Sequence, residues 1–503
     1  MKKNFLNLSY VMTLLLACIF NTKAQQNKVG LFDDNGDVGN PKLPGSVVYD
    51  PQSQQYTMQG AGSNMWASAD QFHFLWKKIK GDFIISATVR FIGKGTDNHR
   101  KIGIIARDKL STDSRYADAC VHGDELSSLQ FRPTDAAQTD QVVLSVFHPT
   151  DIELQRIGNT FTFSAAVFGE NYKSVTKEIA LEDEVYAGLF ICSHRDSIIE
   201  KAVFSNVRII IPAAKDFRPY RDYIGSHLET MDVQSGLRKI LYSAPNSLQA
   251  PNWTSDNKYL IYNAEGLLYK YDLAKGTIDS LNTGFARSNN NDHVLSFDGK
   301  MLAISNHMGP KRISTIFTLP VTGSDKPVQI TLDTAHSYLH SWSPDGKKLI
   351  FTGQRKNQFD IWSIDIATKK ETALTNTPTL DDGPEYSPDG KWIYFNSSRT
   401  GTMKLWRMKP DGSNQEQVTF DEYNDWFPHF SPDGKWIVYI SFPKDIDPND
   451  HPFYKKVYLR LMPASGGVPK TIAYVYGGQG TINTPSWSPD SKKIAFVSNT
   501  QLK

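Results

Sequence analysis

Apolar and polar residues alternate along most of the chain, in short runs separated by turn-forming residues. Runs such as "DFIISATVRFIG" (82–93) and "FDIWSIDI" (359–366) are rich in β-branched and aromatic side chains, and Gly, Pro, Asn and Asp interrupt them. Alternation with a period of two places successive side chains on opposite faces of a strand. The pattern therefore predicts an all-β protein.

A strand–turn–strand pattern occurs six times between residues 216 and 503. The aspartates of the six turns are spaced 42 to 57 residues apart. A period of this length with strand-forming segments is typical of a β-propeller with one four-stranded blade per repeat. The six copies are "NWTSDNKYLIY" (252–262), "VLSFDGKMLAI" (294–304), "SWSPDGKKLIF" (341–351), "EYSPDGKWIYF" (385–395), "HFSPDGKWIVY" (429–439) and "SWSPDSKKIAF" (486–496).

The repeated Ser-Pro-Asp-Gly segment has the composition of a tight turn. Pro presets φ, Asp accepts hydrogen bonds from its own backbone, and Gly tolerates a positive φ. A large apolar residue precedes each aspartate by three positions and is expected between blades. These residues are Trp253, Leu295, Trp342, Tyr386, Phe430 and Trp487.

The strand count predicts how the ring closes. The last repeat supplies only two strands, and two strands without the motif, "SHLETMDVQ" (226–234) and "LRKILYSA" (237–244), precede the first repeat. We predict that they complete the last blade, which joins the two ends of the domain and removes open sheet edges. Six blades result.

Residues 28–212 lack the repeat. Many short β-branched runs with turn signals between them predict a jelly-roll-like β-sandwich. Residues 213–219 follow as a linker between prolines, and residues 220–503 form the propeller.

The N-terminus has the features of an export signal. Lys2 and Lys3 precede an apolar run from Val11 to Phe20, and Ala24 ends a small-residue cleavage site. We predict a signal peptide over residues 1–24 and a periplasmic or secreted protein. Alternatively, the segment ending in Cys18 resembles a lipobox, and Cys18 would then carry a lipid anchor. No later apolar stretch is long enough for a transmembrane span in the mature chain.

Composition limits the classes of partner. The chain has 503 residues and a net charge of +2, and no basic run is interleaved with aromatic residues. We therefore expect no nucleic-acid partner. Only Cys120 and Cys192 keep a free thiol after either form of processing, so a disulfide and two buried thiols are both open.

Two resemblances add to this interpretation. The repeated SPDGK turns make residues 216–503 similar to the TolB-like six-bladed propellers of bacterial envelope proteins. The segments 37–50, 72–89 and 202–209 resemble the concanavalin/laminin-G-like domains attached to bacterial carbohydrate enzymes. The first resemblance implies a propeller fold and leaves the function open. The second implies carbohydrate binding or a spacer role.

Polar residues gather on the propeller face opposite the Ser-Pro-Asp-Gly turns, where the inner strands begin. Four of the six blades have proline five positions before the repeat aspartate, whereas two adjacent blades have histidine there, His293 and His340. The loops of this face contribute further candidates for ligand binding. They are Asn291, Asp292, Asp381, Asp382, Asp425, His429, Gln479, Asn483, Arg312 and Arg399.

These residue types suggest two kinds of chemistry at the channel mouth. Histidine carries protons or binds metals near neutral pH, so His293, His340 and His429 are candidates to hold a divalent metal. His293, His340 and Arg355 are the candidate catalytic residues. A similar arrangement, with a histidine-bound metal in a propeller, occurs in oligogalacturonate lyases, in which a cation neutralises the uronate carboxylate while a base removes the neighbouring proton.

Three hypotheses for function follow. The first is an exported carbohydrate-related protein that binds an oligosaccharide or small polar ligand at the channel mouth. The second is an oligosaccharide-active lyase or hydrolase that uses the same mouth. The third is an envelope scaffold that binds a protein partner through the propeller.

Overall fold

The structure is a computed structural model that describes residues 29–332 and 334–502. The predicted signal peptide and Cys18 lie outside the described residues. Within them, every regular element is a β-strand. No helix in these two ranges has the length and apolar character needed to cross a membrane.

Fourteen of the first sixteen strands form two large antiparallel sheets. The bounds of the sixteen are β1 (Asp34–Val38), β2 (Ser46–Asp50), β3 (Gln55–Gly62), β4 (Met65–Trp66), β5 (Ala69–Asp70), β6 (Phe72–Lys80), β7 (Phe83–Ile92), β8 (Lys101–Arg107), β9 (Tyr116–His122), β10 (Ser127–Arg132), β11 (Asp140–Leu144), β12 (Asp151–Ile157), β13 (Thr160–Ala166), β14 (Lys173–Glu178), β15 (Glu184–Cys192) and β16 (Arg195–Ile210).

Two seven-stranded sheets enclose the core of this half. Their orders are β1-β6-β15-β8-β9-β10-β11 and β14-β13-β12-β7-β16-β3-β2, and β4 pairs with β5 apart from both. Leu75 and Ile104 of the first sheet and Ile85 and Leu154 of the second are fully buried in one apolar cluster. Two sheets that pack face to face and bury their facing side chains between them form a β-sandwich.

Cys120 and Cys192 are buried as free thiols. Burial raises the pKa of both. They lie in an apolar cluster with Phe72, Phe74 and Phe190, so both behave as small apolar side chains.

The remaining strands form the propeller. Their bounds are β17 (Ser226–Asp232), β18 (Arg238–Ala244), β19 (Leu248–Trp253), β20 (Tyr259–Ala264), β21 (Leu267–Asp272), β22 (Ile278–Leu281), β23 (Asn289–Leu295), β24 (Met301–Met308), β25 (Ile313–Pro320), β26 (Val328–Gln329), β27 (Ser337–Trp342), β28 (Lys348–Arg355), β29 (Gln358–Asp365), β30 (Glu371–Ala373), β31 (Asp381–Tyr386), β32 (Ile393–Ser397), β33 (Lys404–Met408), β34 (Glu416–Gln417), β35 (Asn424–Phe430), β36 (Trp436–Phe442), β37 (Lys455–Pro463), β38 (Lys470–Gly477) and β39 (Lys493–Asn499).

Six blades are present, as the repeats predicted. Five are four-stranded sheets that take consecutive strands from β19 to β38. The sixth has the order β18-β17-β39, and an isolated bridge between Trp487 and Ile494 adds its innermost segment. The prediction that residues 226–244 complete the last blade is therefore confirmed. Closure pairs Ser226 of β17 with Asn499 of β39, so strands from both ends of the domain form one blade.

The turn motif is held by side-chain hydrogen bonds that repeat from blade to blade. Ser343 Oγ donates to Asp345 Oδ1 at 2.6 Å, and that oxygen also accepts from the backbone N of Lys347. Gly346 has a φ of 70°, which a residue with a side chain adopts only at a cost. The bonds link residues two apart in sequence, so the motif folds locally and marks each blade.

The strandless segment between the domains is longer than the predicted linker of residues 213–219, because no strand lies between Ile210 and Ser226. Much of it packs on the propeller. Tyr454 Oη accepts a hydrogen bond from the backbone N of Ile224, and the ring of Phe217 lies against that of Tyr454. The segment therefore has a fixed path over one side of the propeller.

A buried ion cluster also joins the two domains. Glu229 of β17 lies between Arg208 of β16 and Arg238 of β18, with its carboxylate oxygens 2.5 Å and 2.8 Å from their guanidinium nitrogens. All three side chains are at most 7% exposed. Burial would raise the pKa of Glu229, but the two guanidiniums hold it well below its usual range. The carboxylate is therefore ionised, and it forms one ion pair with the sandwich, through Arg208, and one within the propeller, through Arg238.

Candidate functional site

A cavity of about 1140 Å³ opens into the propeller at the face where the inner strands begin. Each of the five complete blades has a register shift in its inner strand near this end, for example between Asn289 and His293 of β23. A bulge bends a strand and changes the direction of its side chains. These irregularities coincide with the proline or histidine position of each repeat, and proline cannot donate a ladder hydrogen bond.

Three ionisable side chains lie in the cavity wall. His340 Nε2 lies 3.2 Å from Asp382 Oδ1, and both side chains are at most 13% exposed. Asp292 is 5% exposed and accepts a hydrogen bond from Asn290 Nδ2 at 2.8 Å. Thr352 Oγ1 donates to Asp382 at 2.5 Å. Asp292, His340 and Asp382, which begin three consecutive blades, are called the mouth triad below.

The two carboxyl groups of the mouth triad have different proton affinities. Burial raises the pKa of Asp292 to about 6, and the charge of His340 opposes this rise. Burial acts in the same direction on Asp382, but the hydrogen bond and charge of His340 lower its pKa to about 2. Burial lowers the pKa of His340, yet its contacts with Asp382 raise it overall. Near neutral pH the site can therefore hold one carboxylate, one imidazolium and one carboxyl group close to its titration point.

Asn291 is a second buried polar residue of the wall. It is 4% exposed, and its Nδ2 has no hydrogen-bond partner among the described residues. A buried donor left without an acceptor costs about 1–3 kcal/mol. A ligand oxygen in the cavity would remove that cost.

His293 and His429 lie outside the cavity wall and are held by backbone carbonyls. His293 is fully buried with Nε2 3.2 Å from the carbonyl oxygen of Ile261. His429 Nδ1 lies 2.6 Å from Glu385 Oε2, and its Nε2 lies 2.7 Å from the carbonyl oxygen of Ile482. Both histidines therefore join neighbouring blades.

The structure does not bring His293, His340 and His429 together as a metal site. Across residues 29–332 and 334–502, no group of three or more His, Cys, Asp or Glu side chains is placed to hold a metal ion. The expectation failed because the position of a residue in the repeat determines its blade but not the direction of its side chain, which changes at the register shift of each inner strand.

Two of the predicted arginines and two of the predicted acids form ion pairs outside the cavity wall. Arg355 pairs with Glu371 at 2.7 Å, and Arg399 pairs with Asp381 at 3.0 Å. Asp425 accepts a hydrogen bond from Ser441 and lies 3.6 Å from a nitrogen of Arg460. These groups stabilise blades and leave no free charge for a ligand.

The other predicted residues do line the cavity, together with Asn291 and the mouth triad. Arg312, Gln479 and Asn483 belong to its wall. Asn483 Nδ2 donates to Gln479 Oε1 at 2.9 Å, and Asn483 Oδ1 accepts from the backbone N of Gly480 at 2.7 Å. The closing loop of the last blade is thus fixed by its own amides.

Aromatic residues complete the wall, and sequence reasoning missed most of them. Tyr220 and Tyr223 come from the segment between the domains and are 62% and 45% exposed. Their rings lie 5.2 Å and 5.7 Å from that of Phe453, which belongs to the insertion of residues 443–456 together with His451. No repeat marks these positions. The insertion itself lengthens the spacing between the last two repeat aspartates, Asp433 and Asp490, to 57 residues.

Comparison with known proteins supports the propeller assignment. Residues 328–447 match the family model described as TolB beta propeller domain. An uncharacterized protein of Agrobacterium fabrum is 44% identical over 273 residues, which cover 54% of this chain and 92% of that protein. The solved structure of a candidate TolB from Agrobacterium tumefaciens is 43% identical with a TM-score of 0.53, and the match covers 56% of this chain and all of that one.

A more distant likeness concerns the lyases. An oligogalacturonate lyase from Vibrio parahaemolyticus is 13% identical with a TM-score of 0.34 over 56% of this chain and 76% of that one. Such a likeness reflects a common kind of fold and carries no argument about activity. The Agrobacterium fabrum protein, by contrast, is 44% identical to this chain over 92% of its own length. The chain therefore belongs to the family of TolB-like β-propeller proteins.

Proposed function

We propose that this protein binds an oligosaccharide in the cavity at the mouth of its propeller. The observation that carries the proposal is the joint presence of buried polar groups and exposed aromatic rings in one cavity of about 1140 Å³. Ligand cavities in proteins usually measure about 300–1,000 Å³. The volume is therefore sufficient for several sugar rings.

The two kinds of wall residue match the two surfaces of a sugar. Tyr220 and Tyr223, which are 62% and 45% exposed, offer ring surface to the apolar C–H face of a pyranose. Asn291 and the mouth triad offer donors and acceptors for ring hydroxyl groups. The resemblance of residues 28–212 to domains of carbohydrate enzymes supports the same class of ligand.

A glycan array tests the proposal. The full chain without residues 1–24 should bind a subset of oligosaccharides, and Asn291→Ala should weaken that binding about tenfold, as expected for the loss of one buried hydrogen bond. Asn98→Ala is the matched control, since Asn98 is an exposed asparagine of the sandwich. Binding that both variants retain in full would refute a role for the cavity.

A second candidate function, supported by the mouth triad, is acid–base catalysis on the bound oligosaccharide. Enzymes that cleave sugars commonly use two acids whose environments separate their pKa values. Asp292 would supply or accept a proton near neutral pH, and Asp382 would keep His340 charged and oriented. This reaction would be a hydrolysis or an elimination, and the triad alone is compatible with both.

Product analysis separates binding from catalysis. Oligosaccharides that bind on the array should be incubated with the wild type and with Asp292→Asn, and the products followed by reducing-end assay and by ultraviolet absorbance of unsaturated sugars. New reducing ends without absorbance would indicate hydrolysis, and absorbance would indicate a lyase. Unchanged oligosaccharides with wild-type protein would leave binding as the function.

We also propose a periplasmic or secreted location. The basic and apolar segments before Ala24 support export.

A further inference from the structure

The part of the propeller from β17 to β39, residues 226–499, has seven arginines, and five of them are paired with carboxylates. Each of the five lies within 4.0 Å of an Asp or Glu oxygen. The five pairs are Arg238 with Glu229, Arg355 with Glu371, Arg399 with Asp381, Arg407 with Glu416 and Arg460 with Asp421. Pairing is thus the rule for guanidinium groups in this domain.

The two arginines without such a partner, Arg287 and Arg312, both line the cavity. Among the residues the structure describes, neither guanidinium lies within 4.0 Å of a carboxylate or donates a hydrogen bond. Both belong to the second blade. Arg287 precedes β23, and Arg312 lies in the loop between β24 and β25. They therefore place two positive charges on one side of the opening.

The loop that carries Arg312 is fixed although its side chain is exposed. The backbone N of Arg312 donates to the carbonyl oxygen of Gly309 at 3.1 Å, and its own carbonyl oxygen lies 2.9 Å from His307 Nδ1. Arg312 has a φ of 52°. A fixed backbone lowers the entropy cost of placing the side chain on a ligand.

The acidic side chains of the cavity wall already have hydrogen-bond or ion-pair partners. Asp382 is bound by His340 and Thr352, and Asp292 by Asn290. Glu265 accepts a hydrogen bond from Asn246 Nδ2 at 3.0 Å. The positive charges of the two arginines are therefore not neutralised by ion pairs within the wall.

We infer that the ligand carries an oxyanion group, a carboxylate or a sulfate or phosphate ester, which Arg287 and Arg312 bind at the second-blade side of the cavity. The planar guanidinium matches such groups with two parallel hydrogen bonds, and it does so better than an ammonium. This inference rests on the proposed function and narrows its ligand to acidic oligosaccharides. Arg355 and Arg399 are not available for this contact, because they pair with Glu371 and Asp381.

The test compares neutral, carboxylated and sulfated or phosphorylated oligosaccharides on the glycan array, followed by titration calorimetry of the best acidic glycan and its carboxyl-reduced or desulfated counterpart. The wild type should prefer the acidic member of each pair. The double variant Arg287→Gln/Arg312→Gln should lose about tenfold to a hundredfold in affinity for it, as expected for charge-assisted hydrogen bonds. Binding should also weaken with salt, because both side chains are exposed.

Arg407→Gln is the control, because Arg407 pairs with Glu416 on the outer strands. The class of acidic oligosaccharide that the wild type binds best on the array identifies the acid group as a carboxylate or as a sulfate or phosphate ester. Equal binding of neutral and acidic members, or full affinity in the double variant, would overturn this inference while the proposed function stands. The absence of binding to any glycan would overturn both.

Discussion

His340 and Asp382, from the inner strands of the third and fourth blades, lie with Nε2 and Oδ1 3.2 Å apart in the wall of the cavity. The carboxylate offsets the burial that would otherwise keep the imidazole neutral. We therefore expect Asp382→Asn to lower the pKa of His340 below its ordinary value of 6.5. Histidine-labelled protein followed by NMR against pH measures this. Asp365→Asn, at the half-buried end of β29 opposite Lys348, should leave the titration of His340 unchanged.

Asp292 should make the folded protein less stable above its own pKa. Its pKa of about 6 in the folded state exceeds the ordinary value of 3.8. The folded state thus holds the proton more tightly, and that stabilising effect, full below pH 3.8, is lost as pH rises through about 6. A difference of about two pKa units between the folded and unfolded states corresponds to about 3 kcal/mol in the free energy of unfolding. Asp292→Asn should gain up to about that much in free energy of unfolding at pH 8, and little at pH 3.5.

Urea unfolding at the two pH values measures the effect. Asp298→Asn is a control of opposite sign, because the hydrogen bond from Ser296 lowers the pKa of Asp298 in its turn. Its contribution to stability is present above the unfolded pKa, so this variant should be less stable at pH 8. Equal stability of the wild type and Asp292→Asn at pH 8 would contradict the raised pKa of Asp292.

Glu229 should bind the two domains into one unfolding unit. Its substitution by Gln leaves Arg208 and Arg238 buried without their counter-charge, which typically costs about 3–5 kcal/mol. Scanning calorimetry should show a single transition for the wild type and an earlier or divided one for Glu229→Gln. Glu184→Gln, which removes an exposed pair with Lys78, should have little effect.

The same carboxylate predicts acid sensitivity. The pKa of Glu229 is held below its ordinary value of 4.5. Its contribution is therefore complete above pH 4.5 and declines as pH falls through the lower folded value. The difference in melting temperature between the wild type and Glu229→Gln should shrink below pH 4.5. A constant difference down to pH 2 would contradict this assignment.

Processing of the N-terminus distinguishes the two forms of export. Mass spectrometry of protein recovered from the envelope fraction should find Gln25 as the first residue, and Cys18→Ala should be processed in the same way. A lipid-modified Cys18 at the N-terminus would instead establish a lipoprotein.

The propeller could be predicted because its determinants are local and repeated. The bond from Ser343 to Asp345 joins residues two apart, and its equivalents mark every blade. Even the closure of the last blade followed from counting strands.

The site was harder to predict because it depends on contacts between distant residues. Arg399 is as good a candidate as Arg312 by position, but Asp381 binds it. His293 and His340 share one repeat position, yet only His340 meets a carboxylate. Tyr223 reaches the cavity from a segment with no repeat at all, so its role required the path of the chain in space.

The ring closure described above also determines when the propeller can be completed during synthesis. Strand β39 leaves the ribosome after every other strand of the propeller, and more than two hundred residues are synthesised between its partner β17 and β39. Until that moment β17 has one unpaired edge, and so does the growing end of the propeller. A chain that stalls late in translation would therefore expose unpaired edge strands that can pair with other chains. It would depend on chaperones that bind extended segments.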